Sequence, residues 1–218
     1  MTGRDERPNG NELWLRYGED RPLQILLIEP LFEEANRCRR LLASVMRGLE
    51  AAGIGTVLPC LPGTGESLTP VDGVRLSDWH EALNAVAAAV NPTVIASLRG
   101  GSLLDGGLNA KGWWRLAPET GARIVRDLRR AKLASAEGGD ALYAGHPLSE
   151  AFLADLEVTL PAARTPLRTA RLDSDRGEAD IHLIGTPLWR RAEPGDDAAL
   201  AEAIIVDLTD WTKQCAAC

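Results

Sequence analysis

The chain has 218 residues, of which 45% are apolar, and its net charge is −7. This balance excludes an intrinsically disordered chain, and the acidic charge argues against DNA or RNA as the main ligand. With only three His and four Cys, a disulfide scaffold and a site built from several His ligands are also disfavoured. We therefore expect a single α/β domain spanning residues 1–218, without a metal or cofactor.

Neither the start of the chain nor its most apolar stretch indicates a membrane segment. The first ten residues are polar, and residues 82–98 are interrupted by two Asn and a Pro, whereas a span needs roughly 20 apolar residues. We expect a cytoplasmic protein with flexible ends at residues 1–11 and 213–218. Cys215 and Cys218 have CxxC spacing, but they end the chain instead of opening a helix, which favours a frayed terminus.

Apolar strands alternate with amphipathic helices along most of the chain. The predicted strands are 13–17, 24–30, 55–60, 93–98, 112–117, 167–172 and 181–185. The predicted helices are 33–52, 78–90, one that follows 99–102, 121–135, a short one ending at residue 156, and 197–211. We expect Ser77 and Ser149 to cap the helices that follow them, and Trp113 and Trp114 to point to opposite faces of their strand.

This alternation predicts a three-layer αβα sandwich with a mostly parallel sheet covered on both faces. The early strand 13–17 could lie antiparallel at an edge. Ligands of open α/β sheets bind beyond the carboxyl ends of the strands, so the loops of interest are 29–36, 60–70, 97–102, 118–121, 173–177 and 185–197.

The segment Ser97-Leu-Arg-Gly-Gly101 resembles the nucleophile elbow of the α/β-hydrolases, a tight turn between strand and helix with small residues around the nucleophile. Arg99 occupies the nucleophile position, and a shift by one residue would place Leu98 there. Neither side chain is a nucleophile, because a guanidinium stays protonated at any working pH. The resemblance implies the α/β-hydrolase fold with a minimal or absent cap.

Other serines and carboxylates offer little in place of the missing nucleophile. Ser102 follows the elbow. Packing or capping at the start of a helix is a simpler role for this residue than that of a nucleophile. Ser67 lies in a Gly-rich loop, where we expect a turn hydrogen bond. Asp173 and Asp175 occupy the loop that carries the acid of a catalytic triad, so a carboxylate is available there.

The three histidines also lie away from the position of a catalytic base. In the fold that the elbow resembles, the base follows the last strand, but residues 186–194 contain no His, and Trp189 would form a flat apolar wall there instead. His182 lies within the last strand, His146 in a Gly-His-Pro turn and His80 on a helix, and we expect structural or exposed roles for all three. A Ser-His-Asp mechanism is therefore not predicted.

The chain further resembles the small hydrolase-like proteins associated with the exosortase A system. The resemblance covers roughly residues 23–210 and rests on short motifs: Glu29-Pro-Leu-Phe-Glu-Glu-Ala-Asn-Arg37, the elbow with Leu98-Arg99, Trp114-Arg-Leu-Ala-Pro-Glu-Thr-Gly-Ala-Arg123, Ala144-Gly-His-Pro-Leu-Ser149 and Gly185-Thr-Pro-Leu-Trp189. It implies a bacterial protein linked to exopolysaccharide production and protein sorting, with a protein of that system as a possible partner. It implies no substrate, because a fold does not fix chemistry.

The candidate site consists of the residues expected around Arg99, namely Glu33, Glu34, Asn36, Gly100 and Trp189. An Arg beside a Glu suits a carboxylate or phosphate ligand, because its planar fork binds two oxygens. The same residues could instead form an internal ion pair that fills the old active site, since a buried charge needs a partner in either case. The sequence leaves both interpretations open.

Two functions follow from this site. The first is a catalytically degenerate hydrolase homologue that binds a small anionic or acyl ligand, or a partner protein. The second is a hydrolase with an unconventional site, in which Glu33 or Glu34 activates water and Arg99 stabilises an oxyanion, with Asp173 as a further carboxylate. Arg37 belongs to a basic helix face that we expect to be solvated.

Overall fold

The computed structural model describes residues 4–6, 12–134, 142, 143 and 145–217. In this part of the chain, eight strands form one sheet in the order β1-β2-β4-β3-β5-β6-β7-β8. Their bounds are Arg4–Glu6 (β1), Trp14–Tyr17 (β2), Gln24–Ile28 (β3), Gly55–Pro59 (β4), Val94–Leu98 (β5), Gly112–Leu116 (β6), Leu167–Leu172 (β7) and Ile181–Leu183 (β8). Strand β2 pairs antiparallel with β1 and with β4, and the other five pairings among the described strands are parallel. The predicted mostly parallel sheet is thus confirmed.

Among the described residues, five α-helices cover the two faces of the sheet. They are Glu33–Ala51 (α1), Leu76–Val90 (α2), Gly121–Ala134 (α3), Glu150–Glu157 (α4) and Ala198–Ala217 (α5). Buried residues of α1 and α5 belong to one core cluster, and those of α2, α3 and α4 belong to another. Trp113 lies in one cluster and Trp114 in the other, as the period of a strand requires. The three-layer αβα sandwich is thus confirmed.

Helix α1 shows why the sequence folds in this way next to the site. Its buried residues recur at helical spacing and form one apolar stripe: Cys38, Leu41, Leu42, Val45, Met46 and Leu49. Gly53, with a φ of 86°, supplies the left-handed residue that commonly ends a helix. Strands β3 and β5, which flank each other, are buried along their whole length, as expected for a central parallel sheet.

Several boundaries differ from those predicted. Strand β2 is antiparallel, as predicted, but it lies inside the sheet because the short β1 pairs with its outer side. The chain after the elbow forms two 3₁₀ turns, Arg99–Leu103 and Asp105–Gly107, in place of the predicted helix. Between β6 and β7, the described residues form no helices other than α3 and α4, which agrees with a minimal or absent cap.

The predicted Ser77 cap of α2 is wrong. Ser77 lies inside α2, and the carboxylate of Asp78 accepts a hydrogen bond from the Arg75 N–H at the helix start instead. Ser149 does cap α4, accepting from the Phe152 N–H. Helix α5 continues to Ala217 with Cys215 3% exposed, because a turn with a buried side chain is held by packing.

Some predictions fall outside the described residues. These are most of the end at 1–11, Ser135 at the end of the predicted helix 121–135, Ala144 and Cys218. Within the described part, no helix is both long and apolar enough to cross a membrane.

Candidate functional site

The turn after β5 has the tight geometry of an elbow. Arg99 has a φ of 53°, in the left-handed region that side chains with a Cβ seldom adopt. A Cβ on Gly101 would lie 2.5 Å from the Glu29 carbonyl oxygen, and one on Gly100 would lie 2.6 Å from Cδ1 of Ile124. Gly101 is therefore needed, because its turn packs directly on the backbone at the end of β3, whereas a Cβ on Gly100 would meet only flexible side chains.

The guanidinium of Arg99 is held by two carboxylates. Its Nε and Nη2 donate to the two carboxylate oxygens of Glu34, each at 3.1 Å, and Nη1 donates to Glu119 at 3.1 Å and to the Ala117 carbonyl at 3.2 Å. Burial alone would lower the pKa of Arg99, but the hydrogen bonds and charges of Glu34 and Glu119 outweigh it and raise that pKa above its usual value. This bidentate pair holds a cation in the tight turn after β5.

Trp189 covers one face of this cation. It lies on the 3₁₀ turn Leu188–Arg190, which follows β8, and the Arg99 Cζ lies 5.1 Å from the centre of its ring. Nη1 of Arg37, on α1, donates to the Trp189 carbonyl oxygen at 2.9 Å. Trp189, which was predicted to form a flat wall in the loop after the last strand, therefore covers Arg99 through a cation–π contact.

A cleft of about 360 Å³ lies beside the Arg99 pair. It is lined by apolar, basic and acidic side chains: Leu31, Phe32, Glu33, Glu34, Arg37, Arg99, Arg123, Ile124, Asp127, Leu128, Ala131, Trp189 and Arg190. Two buried donors on this lining, Nε of Arg37 and Nε1 of Trp189, have no hydrogen-bond partner among the described residues. Neither atom has accessible surface, so neither presents its N–H to the open cleft.

The structure brings together only part of the predicted set. Glu33, Glu34 and Trp189 line the Arg99 cleft, whereas Asn36 is exposed on α1 and Gly100 is buried behind the elbow. Asp173 is exposed after β7 and does not line this cleft. The loops of Asn36 and Asp173 leave the same end of the sheet as Arg99, which is why the sequence predicted them nearby, but side-chain direction separates them from it.

Three residues in or beside the cleft were missed by the sequence reasoning. Glu119 binds Arg99 and also forms a 3.2 Å ion pair with Arg123. Arg37 was expected on a solvated basic helix face, yet it reaches the loop after β8. Glu119 lies in the loop 118–121, and Arg123 lies on the helix that follows it. The position of this loop beyond the end of a strand was the sequence signal that could have identified both residues.

Ser102 and Ser67 form turn hydrogen bonds, and the three histidines lie away from the Arg99 cleft. Ser102 Oγ donates to the Arg99 carbonyl at 2.7 Å, and Ser67 Oγ accepts the N–H groups of Gly63 and Thr69. His80, His146 and His182 do not line the Arg99 cleft, and His182 is exposed. Nor do the described residues gather three or more His, Cys, Asp or Glu into a set that could hold a metal ion.

Comparison with solved structures identifies the fold. The structure matches alpha/beta hydrolase domain-containing protein 10 from mouse at a TM-score of 0.63, with 11% identity over 98% of this chain and 99% of that one. It matches Est1E from Butyrivibrio proteoclasticus with bound ferulic acid at a TM-score of 0.61, with 14% identity over 99% of this chain and 100% of that one. The protein therefore has the α/β-hydrolase fold. No protein-family model and no curated protein is significantly similar to its sequence.

Proposed function

We propose that this protein is a hydrolase-fold protein without Ser–His chemistry that binds a small anionic or acyl ligand in the Arg99 cleft. The observation that carries the proposal is the elbow itself, where a paired guanidinium stands in the place of a nucleophile, beside an open cleft. The resemblance to exosortase-associated proteins supports a bacterial role in exopolysaccharide production, with a protein of that system as a partner.

The chemistry of the lining favours an oxygen-bearing ligand. Arg99 is already occupied by Glu34 and Glu119, so it anchors the floor of the cleft and leaves little capacity for a second bidentate partner. Arg37 and Arg190 add further positive charge to the lining. Both would attract a carboxylate or phosphate group, while Leu31 and Leu128 offer an apolar wall to an acyl chain.

The test is a thermal-stability screen with short-chain carboxylates, ferulic acid, inorganic phosphate and nucleotide sugars. A ligand that binds only the folded state raises the melting temperature. We expect this rise in the natural protein and in Arg40→Gln, which removes an exposed charge from the same helix, and its loss in Arg37→Gln. A rise that survives in Arg37→Gln would contradict the assignment of this cleft.

An unconventional hydrolase is the second candidate, and the position of Glu33 favours it. Glu33 lines the cleft without being one of the carboxylates that bind Arg99, whereas Glu34 is held by two hydrogen bonds and is a poor base. Acid release from a panel of short acyl esters, lost in Glu33→Gln and kept in Glu81→Gln, would establish this candidate and refute the non-catalytic one.

A further inference from the structure

A second cleft, of about 430 Å³, lies at the carboxyl end of β3 and is separate from the Arg99 cleft. One wall is apolar and consists of Leu13, Leu15 and Leu58, on or next to β2 and β4. The other end is polar and holds Glu29, Arg39 and Cys60. We name it the Glu29 cleft.

Two opposite charges face this cleft without pairing with each other. Among the described residues, the Glu29 carboxylate has no hydrogen bond or ion pair, and Arg39, which is exposed on α1, likewise forms none within 4.0 Å. Burial raises the pKa of Glu29 to about 7, although the Arg39 charge lowers it. The Arg39 charge is therefore close enough to be felt but does not satisfy the carboxylate.

We propose that the Glu29 cleft binds a free amino acid with an aliphatic side chain. Its ammonium group would pair with Glu29, its carboxylate with Arg39, and its side chain would lie on the leucine wall. A zwitterion satisfies both charges at once, whereas an amine or an acid alone would leave one of them without a partner. A paired ammonium also offsets the desolvation of Glu29, which the protein alone leaves uncompensated.

The ligand series tests which groups are recognised. Calorimetric titration at pH 8 would compare leucine with leucine amide, which lacks the carboxylate, and with 4-methylpentanoate, which lacks the ammonium group. We expect leucine to bind, leucine amide to bind about two- to fivefold more weakly because Arg39 is exposed, and 4-methylpentanoate to bind at least about tenfold more weakly. Equal binding of leucine and either analogue, or no binding of millimolar leucine, would overturn the proposal.

Variants locate the site. Glu29→Gln should weaken leucine binding at least about tenfold, and Arg39→Gln about two- to fivefold. Their matched controls are Glu81→Gln and Arg40→Gln, which remove the same charges from exposed helix positions and should bind as the natural protein does. Circular dichroism would check that each variant is folded. A folded Glu29→Gln with unchanged affinity would refute the site.

The pH dependence of the natural protein gives a readout that needs no variant of Glu29. Leucine requires the ionised carboxylate, so affinity should be about tenfold weaker at pH 6 than at pH 8. The other titratable groups facing Glu29 are Arg39 and Cys38 from α1, Cys60 and Glu66 after β4, and His146 across an adjoining small cleft. Burial raises the pKa of both thiols, so they stay neutral over this range. His146 is the one histidine among these groups, and His146→Gln should keep the pH dependence; its loss in that variant would overturn the assignment to Glu29.

Discussion

Two arginines beside the elbow show how burial changes the weight of an ion pair. Arg115 is 4% exposed and donates at 2.8 Å and 2.7 Å to the two oxygens of Asp105, which is fully buried. The same carboxylate accepts from Ser97 Oγ at the start of the elbow. Arg99 is also buried, but the side chain of its partner Glu34 is 29% exposed, so water can replace the arginine there.

The two arginines should therefore differ in their effect on stability. Arg115→Met strands a fully buried carboxylate and should lower the free energy of unfolding by about 3–5 kcal/mol. Arg99→Met leaves carboxylates that water can reach, and we expect a loss of about 1–2 kcal/mol. Urea unfolding followed by circular dichroism measures both. Equal losses, or a larger loss for Arg99→Met, would contradict the conclusion that the Arg115–Asp105 pair contributes more to stability than the Arg99–Glu34 pair.

At the scale of elements, residue type alone did not separate a cap from an ordinary serine. Ser77 and Ser149 both precede or open a helical pattern, yet only Ser149 caps. In α2 the first turn begins earlier, at Leu76, because Asp78 supplies the capping carboxylate to the Arg75 N–H. A shift of two residues in the helix start, from 78 to Leu76, decides which side chain faces the free N–H groups.

This difference can be measured directly. Ser149→Ala removes the acceptor of the Phe152 N–H and should destabilise the protein by about 0.5–2 kcal/mol. Ser77→Ala is the matched control, because it exchanges a serine within the first turn for a better helix former and should change stability by less than about 0.5 kcal/mol. Chemical unfolding of both variants gives the comparison, and a larger loss for Ser77→Ala would reverse our interpretation of the two helix starts.

The elements themselves were predictable where hydrophobic periodicity was strong. The central strands β3 and β5 and the helix α1 follow from continuous apolar runs and a 3.6-residue stripe. The 3-residue β1 carries the sequence Arg-Asp-Glu, which has no apolar pattern, so only its pairing with β2 defines it. The turns after Arg99 stay 3₁₀ because two glycines and the buried Asp105 occupy the positions of a helix.

At the scale of the whole molecule, the chain order of loops predicted which segments meet at the site but not which side chains enter it. Arg99, Glu34 and Trp189 come from three distant parts of the chain and converge because parallel strands end at one edge. Glu119 and Arg37 join them through helix orientation, which depends on packing. In the sequence, Glu29 only begins a loop beyond a strand end, and nothing marks it as a binding residue, because its lack of a partner is a property of the assembled fold.

The raised pKa of Glu29 makes the stability of the whole protein depend on pH. The pKa of Glu29 is about 7 in the folded protein against an ordinary value of 4.5. Between these values the folded state holds a proton that the unfolded chain releases, so the free energy of unfolding falls as pH rises through this window. Above pH 7 the folded protein bears the full free-energy cost of ionising Glu29, which is up to about 3 kcal/mol.

Other groups contribute with the opposite sign, so a variant is needed to isolate Glu29. Burial lowers the pKa of His80, and stability from this group rises with pH up to about 6.5. For Asp197, backbone hydrogen bonds, led by that from the Leu200 N–H, lower the pKa. Its stabilisation is present above the ordinary value and lost as pH falls through the folded one. The first effect overlaps the Glu29 window, and the second lies below it.

Glu29→Gln should therefore be more stable than the natural protein at pH 8, by up to about 3 kcal/mol, and equally stable near pH 4.5. The reason is that the amide keeps the shape of the neutral acid but never ionises in its buried position. Urea unfolding at pH 5, 6, 7 and 8 would show the gap opening steadily between the two proteins, while the exposed Glu81→Gln should follow the natural protein throughout. If the difference in the free energy of unfolding between the two proteins stays constant with pH, it arises from the packing of the substituted amide and not from the ionisation of Glu29.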